Sequence, residues 1–129
     1  MERTVFLNGD FMPEGEAKVP IFDPGLLFAD SGSEGAGILA WRIADYEYHM
    51  NRLDRSLGEL DMPWPMSRDD LLVAMMTLIE TNKAVEGFLY LQVTRGSRDR
   101  SYLYDDDYQP TVFAFTPKEK CAADAPAEP

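Results

Sequence analysis

The segment DYEYHMNRLDRSLGELDMPWPMSRDDLLVAMMTLIET, residues 45–81, decides the fold because it carries the two helical patterns of the chain. In residues 45–60, side chains recur at three- and four-residue steps and form one stripe: His49, Met50, Leu53, Leu57 and Leu60. The prolines that follow interrupt the pattern, since proline lacks a backbone donor and clashes with the preceding turn. Ser67 with Asp70 three residues later forms a capping box, which predicts a second helix that ends near Thr81.

Apolar and aromatic runs outside this segment predict strands. Upstream, Asn8-Gly9 joins residues 4–7 to residues 10–12, and Asn-Gly is the dipeptide most typical of a hairpin turn. Downstream, residues 87–93 and 111–115 are rich in β-branched and aromatic side chains. Strands on both sides of two adjacent helices predict an α+β domain, in which a mainly antiparallel sheet carries both helices on one face.

Two other segments lack a helical or strand period. Residues 29–40 contain three glycines with little charge, and only residues 38–43 indicate a second hairpin with an indistinct turn. Glycine-rich loops can cradle phosphate, but the spacing here matches neither G-x-G-x-x-G nor G-K-[ST], so the nucleotide signal is weak. Residues 118–129 are rich in Ala, Pro and Glu, which predicts a flexible tail after a domain over residues 1–117.

Composition excludes several classes of function. The chain has 129 residues, with 12 basic against 23 acidic side chains and a formal net charge of -11. Nucleic acids and anionic membranes bind clustered basic side chains, so neither is expected as a partner. A single cysteine, Cys121, and a single histidine, His49, exclude an internal disulfide and a Cys- or His-based metal site. With no signal-peptide pattern and no run of 18 apolar residues, cytoplasm is the expected location.

Arginines are the main candidates for chemistry. Arg95, Arg98 and Arg100 follow the strand of residues 87–93, and the planar guanidinium suits a carboxylate or phosphate. The alternative, favoured by spacing alone, is a solvated loop whose arginines meet the acidic residues 105–107. Arg52 lies beside the apolar stripe and requires an anionic partner, which is either a ligand or the nearby Asp54 or Glu47.

His49 lies on the stripe itself. A lone histidine in that position is more often a hydrogen-bonded core residue than a catalytic base.

Several motifs occur together in an order that identifies a family. In chain order they are Val5-Phe6-Leu7-Asn8-Gly9, Phe22-Asp23-x-Gly25-x-Leu27-Phe28-x-Asp30, Glu34, His49-Met50-x-Arg52-Leu53-x-x-Ser56 and Tyr90-Leu91-Gln92-Val93-Thr94-Arg95-Gly96. They resemble the N-terminal small domain of the class IV pyridoxal-phosphate-dependent aminotransferases, and above all the D-amino-acid (D-alanine) aminotransferases. Branched-chain aminotransferases and aminodeoxychorismate lyases are relatives. The resemblance covers nearly the whole chain and implies the small-domain fold of the fold-type IV enzymes.

The resemblance implies roles for individual residues. Arg52 matches the family arginine that contacts the phosphate of the cofactor, pyridoxal 5'-phosphate. Arg100 and Tyr102 match the pair that grips the substrate carboxylate, although the family has histidine where Tyr102 stands. Ser33 and Glu34 match the pocket-lining pair, in which D-amino-acid enzymes have Tyr-Glu, so the active-site aromatic residue is absent.

The resemblance also implies a missing part. The family's cofactor-linked lysine lies in a second, C-terminal domain, and no lysine of this chain has the expected Asp-x-Lys-Ser context. We therefore expect a truncated domain that is inactive alone, whose full enzyme acts on an amino acid and a 2-oxo acid. Its expected partner is a second copy or a lysine-bearing domain. The alternatives are a non-catalytic binding or subunit-interaction module, a truncated gene product with local frame shifts, and a relative of the branched-chain aminotransferases or aminodeoxychorismate lyases.

Overall fold

The computed structural model describes residues 2–23, 25, 31–96 and 110–117. The strands in these residues are β1 (Thr4–Leu7), β2 (Asp10–Pro13), β3 (Ser31–Leu39), β4 (Arg42–Ile43), β5 (Gly87–Thr94) and β6 (Thr111–Phe115). The α-helices are α1 (Tyr46–Glu59) and α2 (Arg68–Thr81), and a short 3-10 helix, Glu14–Glu16, follows β2. Both predicted helices and the strands predicted in residues 4–12, 87–93 and 111–115 are confirmed to within a residue or so.

The strands form one sheet in the order β2-β1-β6-β5-β3-β4, and every neighbouring pair is antiparallel. The predicted turn between β1 and β2 has positive φ at Asn8 (50°) and Gly9 (96°). These are the angles that an Asn-Gly hairpin turn requires. The sheet and its two helices confirm the predicted α+β class with a mainly antiparallel sheet.

Strand β3 is the element that the sequence did not predict over most of its length. Its residues 31–38 pair with β5 in eight consecutive positions, from Ser31↔Thr94 to Ile38↔Gly87. Side chains of β3 alternate between buried and more exposed positions, with Gly32, Glu34, Ala36 and Ile38 buried. Small residues conceal this period of two, because glycine and alanine contribute little to a hydrophobic pattern. The residues of β3 have a low intrinsic propensity for strands, and pairing with β5 stabilises the strand instead.

Both helices cover the same face of the sheet. The core between them contains, from the helices, Met50, Leu53, Leu57, Leu71, Ala74, Met75, Leu78 and Ile79, and from the sheet, Phe6, Ile38, Leu89, Leu91, Val93, Val112 and Ala114. The predicted apolar stripe of α1 thus faces the sheet. A Cβ atom at Gly32 would lie 3.3 Å from Leu53 Cδ1 and 3.5 Å from Ser56 Cβ. Helix α1 therefore approaches β3 closely because residue 32 has no side chain.

Side-chain hydrogen bonds fix the ends of helix α2. The Ser67 hydroxyl accepts from the Asp70 N–H at 3.0 Å, as the capping box predicts. At the other end, Asn82 accepts from the Thr4 N–H at 2.8 Å and donates to the Thr4 carbonyl at 2.8 Å. Asn82 also donates to the Thr116 hydroxyl at 2.9 Å, and the Arg3 guanidinium donates to the Thr116 carbonyl at 3.0 Å. The first and last parts of the described chain are thereby joined to the same helix end.

The second face of the sheet is not covered by either helix. Cross-strand register places Ser33 beside Gln92, Gly35 beside Tyr90 and Gly37 beside Phe88 on this open face. The Tyr90 and Phe115 rings pack on it with centroids 5.2 Å apart. A pocket of about 220 Å³ lies here, lined by Val5, Phe6, Leu7, Ala17, Val19, Phe113, Ala114 and Phe115. Within the described residues, no helix is long and apolar enough to cross a bilayer.

Candidate functional site

A buried carboxylate on strand β3 is the centre of the candidate site. Glu34 is only 4% exposed and lies on the helix-facing side of β3, opposite Leu91 of β5. An ionised side chain in such a position is costly unless other charges or hydrogen-bond donors compensate it. Glu34 is compensated by two side chains of helix α1, one turn apart.

Arg52 and His49 both contact the Glu34 carboxylate. The Arg52 Nε atom lies 3.0 Å from each Glu34 oxygen, and its Nη2 atom lies 2.8 Å from Oε1. His49 Nδ1 lies 2.8 Å from the same Oε1 atom. A carboxylate only accepts hydrogen bonds, so the proton of this contact belongs to the histidine nitrogen. The three side chains form a compact cluster, the Glu34–His49–Arg52 cluster.

Arg52 remains accessible from solution despite this pairing. Its side chain is 47% exposed, and its guanidinium lies 5.5 Å from the centroid of the Tyr48 ring. The hydrogen bonds to Glu34 and the charge of that carboxylate raise the pKa of Arg52 above its ordinary value. Arg52 is therefore always charged, oriented from one edge by Glu34 and open to an anion on its exposed part.

The anionic partner of Arg52 differs from both side chains that sequence proximity suggested. Asp54 accepts a hydrogen bond from Trp64 Nε1 at 2.8 Å, and Glu47 pairs with Arg68 at 3.4 Å. The partner is Glu34, which is 18 residues away in the chain, so sequence proximity does not indicate it. The alternation of β3 was the available signal, since it places residue 34 on the same face as Ile38. The four-residue step from Tyr48 to Arg52 likewise indicates their contact.

His49 has the structural role that a lone histidine on an apolar stripe most often has. Its side chain is 14% exposed, is hydrogen-bonded to Glu34, and packs edge-on against Tyr48 with centroids 5.7 Å apart. It shares the Glu34 Oε1 atom with Arg52.

The structure separates two residues that the resemblance implied as a pocket-lining pair. Ser33 is exposed on the open face of the sheet, whereas Glu34 is buried on the helix face. Adjacent residues of a strand point to opposite faces, so the two side chains serve different surfaces. Arg100 and Tyr102, the implied substrate-carboxylate pair, lie outside the described residues, as do Arg98 and the acidic residues 105–107.

Two motifs that are far apart in sequence meet at the end of β5. Asp23 is fully buried, and its carboxylate accepts hydrogen bonds from Gly25 N at 2.8 Å and from the Thr94 hydroxyl at 2.9 Å. A Cβ atom at Gly25 would come within 2.3 Å of Thr94 Cγ2, so this approach requires glycine. Arg95 is also buried and donates to the Leu60 carbonyl at 2.5 Å. These contacts fix the strand end from which residues 97–109 depart.

The described residues offer neither a phosphate loop nor a metal centre. The glycine-rich run of residues 32–37 lies within β3 and pairs with β5, so it does not form a loop around a phosphate. Among these residues, no group of three or more His, Cys, Asp and Glu side chains could hold a metal ion. The Glu34–His49–Arg52 cluster is thus the best-defined polar site of the described chain.

The cluster lies within a segment of the chain that matches a known protein family. The model of the class IV aminotransferases (Aminotran_4) matches residues 34–126, which includes the whole cluster. A D-alanine aminotransferase of Staphylococcus aureus is 29% identical over 113 residues, which are 87% of this chain and 40% of that protein. A D-alanine aminotransferase of Bacillus licheniformis is 33% identical over 112 residues, with the same two coverages. The chain therefore spans about 40% of the length of these relatives.

The fold is similar to that of solved structures of the same group. The branched-chain amino acid aminotransferase of Escherichia coli superposes with a TM-score of 0.82 at 20% identity, over 90% of this chain and 41% of that one. At this identity the likeness concerns the fold, which is that of the small domain of the fold-type IV aminotransferases. The family model covers well over half of the chain. The chain belongs to the class IV aminotransferase family.

Proposed function

We propose that this chain is the small domain of a D-amino-acid aminotransferase and that Arg52 binds the phosphate group of pyridoxal 5'-phosphate. The observation that carries the proposal is the state of Arg52, which is always charged, held at one edge by Glu34 and exposed over 47% of its side chain. A guanidinium in this state matches the planar arrangement of phosphate oxygens. The D-alanine aminotransferases among the relatives support a D-amino acid as the amino donor.

The residues present fit the phosphate end of the cofactor. Arg52 supplies charged donors, and the Tyr48 ring lies over its guanidinium, with the ring centroid 5.5 Å from Cζ. When bound, pyridoxal phosphate supplies the reactive aldehyde and electron-accepting ring that carry an amino group between an amino acid and a 2-oxo acid. The chain's own contribution is to bind and orient, because its described lysines, Lys18 and Lys83, are both exposed and neither belongs to the cluster.

The remaining functional groups would come from outside the described residues. Arg100 and Tyr102 are proposed to grip the substrate carboxylate, with Tyr102 donating one hydrogen bond. The lysine that links the cofactor and moves the proton of the substrate is proposed to belong to a second domain. On this proposal the isolated chain binds a phosphate group but does not transfer amino groups.

A binding experiment tests the role of Arg52. Titration of the chain with pyridoxal 5'-phosphate, followed by ³¹P NMR, should give saturable binding that Arg52→Ala weakens about 10- to 100-fold, since a charge-assisted contact is lost. Arg55→Ala is the matched control, because it removes an exposed arginine from the same helix. Equal losses of affinity in both variants would show that only the net charge matters, and would contradict the proposal.

An activity assay tests the missing lysine and the choice of donor. We expect no amino-group transfer from D-alanine to 2-oxoglutarate by the chain alone. Turnover by the isolated chain would contradict that expectation. In a protein that carries this domain together with a lysine-bearing domain, D-alanine should be the better donor. A preference for L-leucine or L-valine there would instead favour the branched-chain class.

A further inference from the structure

We propose that Glu34 is a positioning residue, which orients the Arg52 guanidinium so that its exposed donors face a phosphate group. The inference rests on the proposed function of Arg52 and assigns a role to its partner. Glu34 is only 4% exposed, and its carboxylate already contacts Arg52 and His49. It therefore acts through Arg52, without touching the anion itself.

The geometry of the carboxylate supports this role. Both Glu34 oxygens are engaged by Arg52 Nε, and Oε1 also meets Arg52 Nη2 and His49 Nδ1. The Nε hydrogen bonds to both oxygens and the Nη2–Oε1 ion pair together restrict rotation of the guanidinium, because two of its nitrogens are held by one carboxylate. His49 Nδ1 is hydrogen-bonded to the same Oε1 atom, which gives the carboxylate a second fixed partner on α1.

Strand β3 provides a rigid base for this arrangement. Glu34 lies in the middle of the eight-position ladder with β5, and only 4% of it is exposed. Arg52, in contrast, is a long side chain that is 47% exposed, and such a side chain has many rotamers when nothing holds it. The rigid carboxylate therefore removes from Arg52 the conformational freedom that anion binding would otherwise have to remove.

Electrostatic repulsion between Glu34 and phosphate predicts the opposite effect on binding from positioning. The Glu34 charge repels an incoming phosphate, so loss of that charge alone would strengthen phosphate binding. Positioning predicts the opposite sign, because Arg52 without its carboxylate partner becomes mobile. The sign of the change in phosphate affinity on Glu34→Gln thus separates the two effects.

The test uses NMR of the full chain and titration with inorganic phosphate and, separately, pyridoxal 5'-phosphate. Without ligand, the Arg52 Nε–H signal should exchange with water at least about tenfold more slowly than that of the exposed Arg55. Glu34→Gln should abolish this protection and raise both dissociation constants about tenfold. Glu47→Gln is the control, since it removes a carboxylate that is 82% exposed and lies on the same helix, and it should change neither quantity.

A double-variant comparison separates positioning from loss of structure. In an Arg52→Ala background, Glu34→Gln should change phosphate affinity less than about twofold, because its target is absent. An equal loss in that background, or unchanged or tighter binding in the single variant, would overturn the proposal. So would unprotected Arg52 Nε–H in the unaltered chain, and this measurement does not depend on whether any variant folds. Protected Nε–H without anion binding would refute the proposed function alone and leave the positioning intact.

Discussion

Charged residues are buried in the described chain only where hydrogen-bond partners hold them. Asp23 accepts from Gly25 and Thr94, Glu34 is paired with Arg52 and His49, and the Arg95 guanidinium meets the Leu60 carbonyl. Within the described residues, no buried side-chain nitrogen or oxygen atom lacks a partner. Because an unpaired buried charge costs several kcal/mol, about as much as a whole domain's margin of stability, these pairings are structural requirements as well as candidate chemistry.

Tyr46, the first residue of α1, allows a test of burial by pH. Burial raises the pKa of its phenol above its ordinary value, although the nearby Arg68 guanidinium partly opposes this. The folded chain therefore holds a proton that the unfolded chain releases first, and stability is lost as pH rises through the folded-state pKa. We expect the free energy of unfolding to fall less steeply with pH above about 10 in Tyr46→Phe than in the unaltered chain.

Urea unfolding from about pH 8 to about pH 11 measures this slope. Tyr48→Phe is the control, because Tyr48 lies in the same helix turn but is 61% exposed. The same slope in Tyr46→Phe and the unaltered chain would show that Tyr46 does not contribute.

At the residue scale, the sequence indicates the candidate site residues more reliably than it indicates their contact partners. Arg52 and its need for an anion follow from one helical stripe, since the position beside an apolar face is visible in residues 45–60. Its partner Glu34 does not, because that contact depends on how β3 packs under α1. Local spacing predicts contacts within a helix, whereas a contact across 18 residues requires the register of the sheet.

At the scale of elements, β3 has glycines on both of its faces, and their surroundings differ. Gly32 allows α1 to approach, with Leu53 Cδ1 only 3.3 Å from the position of a Cβ atom. Gly35, on the open face, has no heavy atom within 4 Å of that position. The absence of a side chain is thus required on one face and unconstrained on the other.

Substitution of valine at each position should separate the two faces. Gly32→Val places methyl groups against Leu53 and Leu57, so we expect a loss of about 1–3 kcal/mol in the free energy of unfolding from overpacking. Gly35→Val should be neutral or stabilising by up to about 1 kcal/mol, because valine favours strands and has room there. Urea unfolding of both variants measures the difference, and equal destabilisation would contradict the helix contact.

The strands that the sequence predicts are rich in β-branched and aromatic side chains. Residues 87–93 and 111–115 are mostly apolar because β5 and β6 lie in the centre of the sheet. There, each is paired with a strand on both sides and is covered on one face by the helices. Strand β3 pairs with β5 at eight positions, but its inward residues include a glycine, a carboxylate and an alanine. A pattern of hydrophobicity cannot reveal a strand whose burial depends on small size and on one ion pair.

At the scale of the whole molecule, one side of the sheet is not covered by a helix among the described residues. The open face carries Phe88, which is 47% exposed, beside the Tyr90, Phe113 and Phe115 rings. A contiguous apolar surface of this kind typically marks an interface. The helices already cover the opposite face, so the open face is where a second copy or a further domain would bind.

We therefore expect the chain to self-associate at tens of micromolar, with a sedimentation coefficient that rises with concentration. Phe88→Lys should weaken this association, because it places a charge in the open face. Val73→Lys is the control, since Val73 is 65% exposed but lies on helix α2. A monomer at all concentrations, or equal effects of the two substitutions, would contradict an interface on the open face.

The contacts of Asn82 and Arg3 with Thr4 and Thr116 have a topological consequence. They bring the start and the end of the described fold to one corner, so the polypeptide traces a nearly closed circuit. The first and last described strands are also neighbours in the sheet, with Phe6 opposite Ala114. Because both ends of the fold lie at one corner, we expect the domain to tolerate insertion into a surface loop of another protein.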